Sequence, residues 1–449
     1  MGQSAASRAD VARLFGRAAF GATAAQLDQW QGKPYAAVVD HLLNVPDPAT
    51  RGVALDDVSR VVAEVGHNLP LAQSWWLRRM QTTPWPLEER LVLFWHDHFA
   101  TSFTPDGPSV MLLMKQNQTL RQHALGSFRA MCEAITIDPA MLIWLNGSVN
   151  TVERPNENYA RELFELFTLG TAPQVYSETD IRESARALTG WNADALGLVR
   201  FNPANHDTGT KSVLGTTIED AGELEYKAIV DVALRQPVAP LFVASKLVQS
   251  FAYRPTTRDV LTERDPLVDE VAAAFTASDW SIRAAVRALL LSDHFRYADP
   301  AAGRQVVRQP AELAVHGAKV AGVAADDPAL PQVVADAGQS LLQPPNVGGW
   351  PVGREWLSTT TAIARYALPV ALAKIRNQSL ELLRPPLPPS RDVTTGAAAW
   401  TKHLGLASLH PTTLAALRTY VTSRTGAPEV ELQNGILALL MSSPDWEVM

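Results

Sequence analysis

Apolar residues recur at helical spacing along almost the whole chain. Over 9–20, Val11, Leu14, Phe15 and Ala18 share one face, and over 24–44 Leu27, Trp30, Val38, Val39, Leu42 and Leu43 mark a pair of helices. Residues 70–83 repeat the pattern. The next helix, "LEERLVLFWHDHFAT", follows Pro84 and Pro86, which suit a first turn that needs no N–H donor. Helices are expected through 108–145, broken at Gly107, Gly126 and Pro139, and again over 222–236, 238–252, 265–276 and 280–292.

The sharpest unit lies between 155 and 191. Gly170 ends the run "ENYARELFELFTLG", and Ser177 with Asp180 forms a capping-box variant that opens a second helix carrying Ile181, Ala185 and Leu188. Gly190 closes it. Two amphipathic helices joined by so short a loop predict an antiparallel αα-hairpin. The pattern changes only at 198–214. Leu198–Phe201 and Lys211–Leu214 read as short strands, predicted to pair as one small ribbon around "NPANHDTGT".

These signals define a mainly α protein, a multi-helix orthogonal or bundle-like assembly with one two-stranded β-ribbon. The Pro-rich stretch 376–398 reads as a linker between a main domain over 1–375 and a C-terminal helical segment, 399–449, that packs on the body.

Composition narrows the chemistry. The 39 Lys and Arg against 46 Asp and Glu leave a net charge of -7, which argues against nucleic acid as a partner. Cys132 is the single cysteine, so an intrachain disulfide, an iron–sulfur cluster and a cysteine zinc site are all ruled out. Apolar runs such as Leu368–Ile375 fall short of a membrane span. The N-terminus lacks an apolar signal-peptide core, which predicts a cytoplasmic protein. P-loop, dinucleotide, GxSxG, HExxH and EF-hand signatures are missing from the sequence.

Four blocks carry candidate chemistry. On the helix of "FWHDHFA", His98 continues the stripe of Leu87, Leu91 and Phe94 and points inward, while His96 faces elsewhere. Glu162 sits at the border of the stripe Tyr159, Leu163, Leu166 and Phe167. A carboxylate there must be paired or metal-bound, by salt bridge to Arg182 or Arg186 on the structural reading. Glu165 lies beside it, and Arg161 follows Glu157 at pairing distance along the helix. His206, Asp207 and Lys211 bring an imidazole, a carboxylate and an ammonium into one turn. The loop "QPPNVGGWPVGREW" is stiff, and packing on the body is the favoured role of Trp350 and Trp356.

The blocks "FWHDHFA" (94–100), "RPNENYARELFELFTLG" (154–170), "YSETDIRESARALTGW" (176–191), "HDTGTKSVLG" (206–215) and "PPNVGGWPVGREW" (344–356) occur in an order that resembles the bacterial family called domain of unknown function 1800. The resemblance spans roughly residues 10–370. It implies a mainly helical protein, often exported and often encoded beside a sulfatase-like family, and it supplies no reaction.

Two functions follow as expectations. One is a metal-dependent enzyme. His98, His96, Glu162 and His206 would hold zinc, iron or manganese, Glu165 or Asp207 would act as base, and Arg161 and Lys211 would steady an anionic small-molecule substrate. The other is a non-catalytic scaffold or partner of a sulfatase-like protein, its polar blocks fixing helix packing. Haem binding through His98 or His96 is a third, minor option without a CxxCH attachment.

Overall fold

A computed structural model describes residues 4–48, 58–171, 175–254, 264–297, 305–378, 386–391 and 393–448. It is mainly helical, with two small antiparallel ribbons. Helices stand where they were expected over 9–44, 70–145 and 222–292, and further ones not read from the sequence lie at Val58–Val65, Pro310–Ala321, Leu330–Asp336, Pro411–Ser423 and, starting within the expected linker, Val393–His403. Caps do what the sequence asks. Ser177 Oγ accepts from Asp180 N at 3.2 Å while Ser177 N donates to Asp180 Oδ2 at 2.8 Å, completing the predicted capping box.

The helix Pro86–His98 is the hub. Every residue from Leu87 to His96 is buried, so this helix has no solvent face. His96 is therefore as enclosed as His98. Its ring lies 5.4 Å from both the Trp76 and the Trp350 rings. One amphipathic stripe could not foresee this, because the far side is covered by a loop from 250 residues later in the chain. The hub also buries charge. Glu89 accepts from Arg79 Nε at 2.6 Å, Arg121 Nη2 at 2.9 Å and Trp76 Nε1 at 3.3 Å. Arg90 pairs with Glu312 at 2.5 Å.

The run predicted as one helix over 158–169 changes form midway. Asn158–Glu162 is α-helical, and Leu163–Thr168 is a widened π turn in which Leu169 N bonds back to Phe164 O at 2.8 Å. The carbonyls of Leu166 and Phe167 instead accept from Lys246 Nζ (3.2 Å) and His98 Nε2 (3.0 Å).

Both predicted strand segments exist, but they do not pair with each other. β1 (Trp191–Ala193) pairs with β2 (Val199–Phe201), and β3 (Lys211–Val213) with β4 (Thr216–Ile218). Tight local turns outcompete the longer closure, and the second hairpin turns on Leu214 and Gly215, both at positive φ.

The helix Thr359–Gln378 packs against Pro310–Ala321, Leu330–Asp336 and Glu429–Met441. Arg365 Nε reaches Glu447 at 2.8 Å, and Val307 bridges to Val448. Within the expected linker, residues 379–385 and 392 lie outside the described residues. Among the described residues, no single helix is long and apolar enough to cross a membrane.

Candidate functional site

Two polar centres emerge, one beside the ribbons and one under the Trp350 loop. The first begins where the helix Glu178–Ala187 ends. Gly190 turns the chain at φ +94°, and a side chain there would press on Asn202 O and the Phe201 ring. The first ribbon then leads to His206, whose ring packs 5.1 Å from that of Phe201. Asp207 Oδ1 accepts from Gly209 N at 2.9 Å, which closes an Asx turn. Lys211 opens β3, and the second ribbon carries the chain back to Asp220 and to Glu225, the first residue of the helix Glu225–Leu234.

At this centre His206 Nδ1 lies 2.9 Å from Thr189 O, and Nε2 lies 3.2 Å from Glu225 Oε1 and 3.8 Å from Asp220 Oδ1. Lys211 Nζ forms an ion pair with Glu225 Oε2 at 2.7 Å and donates to Asp207 O. His206, Lys211 and Glu225 are buried, and Asp220 is about half exposed. Among the described residues, His206, Asp220 and Glu225 form the one group of three or more potential ligands whose ligand atoms lie within 4.8 Å of one another.

The neighbouring charges are engaged. Arg186 holds Asp207 in a fork, Nε to Oδ2 at 2.7 Å and Nη2 to Oδ1 at 3.0 Å, and this keeps the Asp207 carboxyl below its ordinary range. Arg186 also pairs with Glu183 at 2.7 Å, and Arg182 bonds Thr179, so neither expected arginine reaches Glu162. Arg161 pairs with Glu157 (3.1 Å), Glu165 (3.5 Å) and Glu178 (2.6 Å). Glu162 stays beside this group, its carboxyl raised by burial and by the charge of Glu165.

The expected ligands thus separate. His206 and Lys211 meet at the ribbons, with Asp207 alongside. Arg161, Glu162 and Glu165 line the helix before the π turn, and His96 and His98 stand in the hub. His98 donates through Nε2 to Phe167 O among the rings of Phe94, Trp95, Phe99 and Phe128. Burial, helped by the charge of Lys246, holds it well below the ordinary imidazole range. His96 is pushed down to about 3 by burial alone.

The second centre is a cavity of about 300 Å³ between the hub, the helix Val238–Phe251 and the loop 343–356. Asp97, His98, Lys246, Arg90 and Trp350 line it. Asp97 Oδ1 accepts from Trp350 N at 2.6 Å, and its enclosure raises the carboxyl to about 6 against the pull of that N–H, Lys246 and Arg90. Titratable groups shifted by burial in one cleft mark a functional candidate. The sequence reading missed Asp97 and Lys246 here and Asp220 and Glu225 at the ribbons. Asp97 was visible only as the middle of "HDH", and Glu225 as an ordinary acidic residue opening a helix.

The body is helical, with a histidine–carboxylate cluster beside the ribbons and a separate charged cavity. The chain belongs to the family described as protein of unknown function (DUF1800), whose pattern matches residues 13–448. No curated protein and no solved structure matches it.

Proposed function

We propose that this protein is a metal-dependent enzyme whose divalent cation is held by His206, Asp220 and Glu225. One observation carries the reading. Thr189 O can only accept, so the hydrogen on a neutral His206 ring belongs on Nδ1, and the Nε2 lone pair then faces two carboxylate oxygens at 3.2 and 3.8 Å. Each oxygen also accepts one backbone N–H, Glu225 Oε1 from Ala221 at 3.2 Å and Asp220 Oδ1 from Gly222 at 3.0 Å, and each keeps a lone pair that a cation between the three atoms would use. With metal–ligand bonds of about 2.0–2.2 Å, adjacent ligand atoms sit roughly 3–3.6 Å apart, which these separations approach. The carbonyl behind Nδ1 is the kind of support that orients a metal-binding imidazole.

A His-carboxylate set suits zinc, iron or manganese. Bound there, the ion would supply a Lewis acid able to activate water, and the half-exposed Asp220 would be the ligand nearest solvent. Lys211 beside Glu225 and Arg186 on Asp207 offset the carboxylate charge around the ion.

A proton is the competing cation. An imidazolium donating from both nitrogens, with Lys211 beside Glu225, makes a structural ion network instead. The scaffold reading draws further support from exposed Ile363, Tyr366 and Val370 on one face of the helix Thr359–Gln378, a surface suited to a protein partner.

Elemental analysis of tag-free protein purified without chelator decides between the cations. The enzyme reading expects near-stoichiometric metal that His206→Ala removes, and a stability gain of about 2.7 kcal/mol at a metal concentration 100 times Kd. Metal below about a tenth of an ion per chain, with no gain in Tm on adding zinc, iron or manganese, leaves the proton network.

A further inference from the structure

The cavity under the Trp350 loop holds one cation and one anion that the fold leaves unmatched. Its volume, about 300 Å³, has room for roughly ten waters and lies at the small end of ligand sites. Most of the charge lining it is already paired. Arg90 is bound to Glu312 at 2.5 Å, and at the mouth Arg254 faces Glu355 at 3.5 Å.

Lys246 and Asp97 remain. Among the described residues, neither has an opposite charge at ion-pairing distance. Lys246 Nζ uses one of its three donors, on Leu166 O at 3.2 Å. Asp97 receives the Trp350 N–H on Oδ1 at 2.6 Å, and its Oδ2 takes no hydrogen bond from a described residue. Each group feels the other's charge across the space, and burial pushes both toward their neutral forms. Both groups are part-exposed toward the cavity, so a ligand that brings the complement of each replaces water there with paired charge.

A singly charged ligand satisfies one of the two and strands the other. A small zwitterion satisfies both. Phe94, Trp350 and Trp356 give the remaining wall apolar surface for a side chain. We propose that this cavity binds a free α-amino acid, its carboxylate on Lys246 Nζ and its ammonium on Asp97 Oδ2. The site is separate from the His206 centre and does not depend on it.

The test is a titration of the full chain, treated with chelator so that the metal centre plays no part. The common amino acids are added while the indole resonances of Trp350 and Trp356 are followed. Saturable shifts are expected. The N-acetyl and the amide derivatives of the best ligand should each bind about tenfold or more weakly, the loss of one charge-assisted contact. Lys246→Met should erase the preference for free acid over amide and keep that for free amine. Asp97→Asn should do the reverse. The proposal is overturned if no amino acid gives a saturable shift, if both derivatives bind as well as the parent, or if folded variants keep both preferences. Should a variant fail to fold, the derivative comparison on the native protein decides alone.

Discussion

The backbone N–H of Trp350 donates to Asp97 Oδ1 over 2.6 Å, and this bond seats the loop 343–356 on the last turn of the hub helix. The preceding residue makes the approach possible. Gly349 has φ +90°, and a Cβ there would lie 2.3 Å from Asp97 Oδ1 and 2.8 Å from Asp97 O. Gly349→Ala therefore combines backbone strain with a clash against main chain, and it should cost about 3 kcal/mol. Urea unfolding would register this as a lower midpoint at unchanged slope, and an unchanged midpoint would mean the loop is not seated there.

Asp97 gives the fold a pH dependence of defined sign. Its folded carboxyl is raised to about 6 from an ordinary value of 3.8, so the native state binds the proton more tightly than the unfolded chain. The resulting stabilisation is fully present below about pH 4 and is lost as pH rises through about 6. Asp97→Asn keeps an acceptor for Trp350 N and removes the charge. Above pH 7 the variant should be more stable than the native protein by about 1–2 kcal/mol, after discounting for partial exposure, with the gap closing below pH 4. Denaturation at several pH values measures it.

Glu89 works in the opposite direction. Burial opposes its charge, but Arg121 and Arg79 overcome that and hold the carboxyl down at about 2 against an ordinary 4.5. Its contribution is present above about pH 4.5 and fades as pH falls toward 2. Glu89→Gln leaves two arginines facing a neutral amide in the core, with an expected loss of about 3–5 kcal/mol at neutral pH. Thermal or chemical unfolding of the variant is the measurement. A loss under 1 kcal/mol would show that the arginines find other partners.

Lys211→Met separates the two cations proposed for the ribbon centre. Lys211 is fully buried at 2.7 Å from Glu225. If a metal sits between His206, Asp220 and Glu225, removing the ammonium lifts a competing charge, and metal affinity measured by competition with a chromophoric chelator should rise. If the centre is a proton network, the variant should lose stability and gain no metal affinity.

Much of the architecture was legible locally. The breaks at Gly170 and Gly190, both at positive φ, and the Ser177 cap are events within a turn of chain, and each appears where the residues demand it. The site was legible only in part. His206 and Lys211 advertise themselves in one polar turn. Glu225 looks like any acidic residue at a helix start until the second ribbon folds back, and Lys246 looks like a surface lysine on a helix until the π turn offers it the Leu166 carbonyl.

The helices over 9–44, 70–145 and 222–292 and the presence of strands near 198–214 follow from the residues alone, because periodicity, capping and glycine conformations act over a few neighbours. Which strands pair, that the hub is enclosed on every side, and which polar groups meet across 19 residues (His206 and Glu225) or 253 (Asp97 and Trp350) belong to the tertiary structure. Those outcomes depend on packing and desolvation among distant segments, and no local pattern in the chain encodes them.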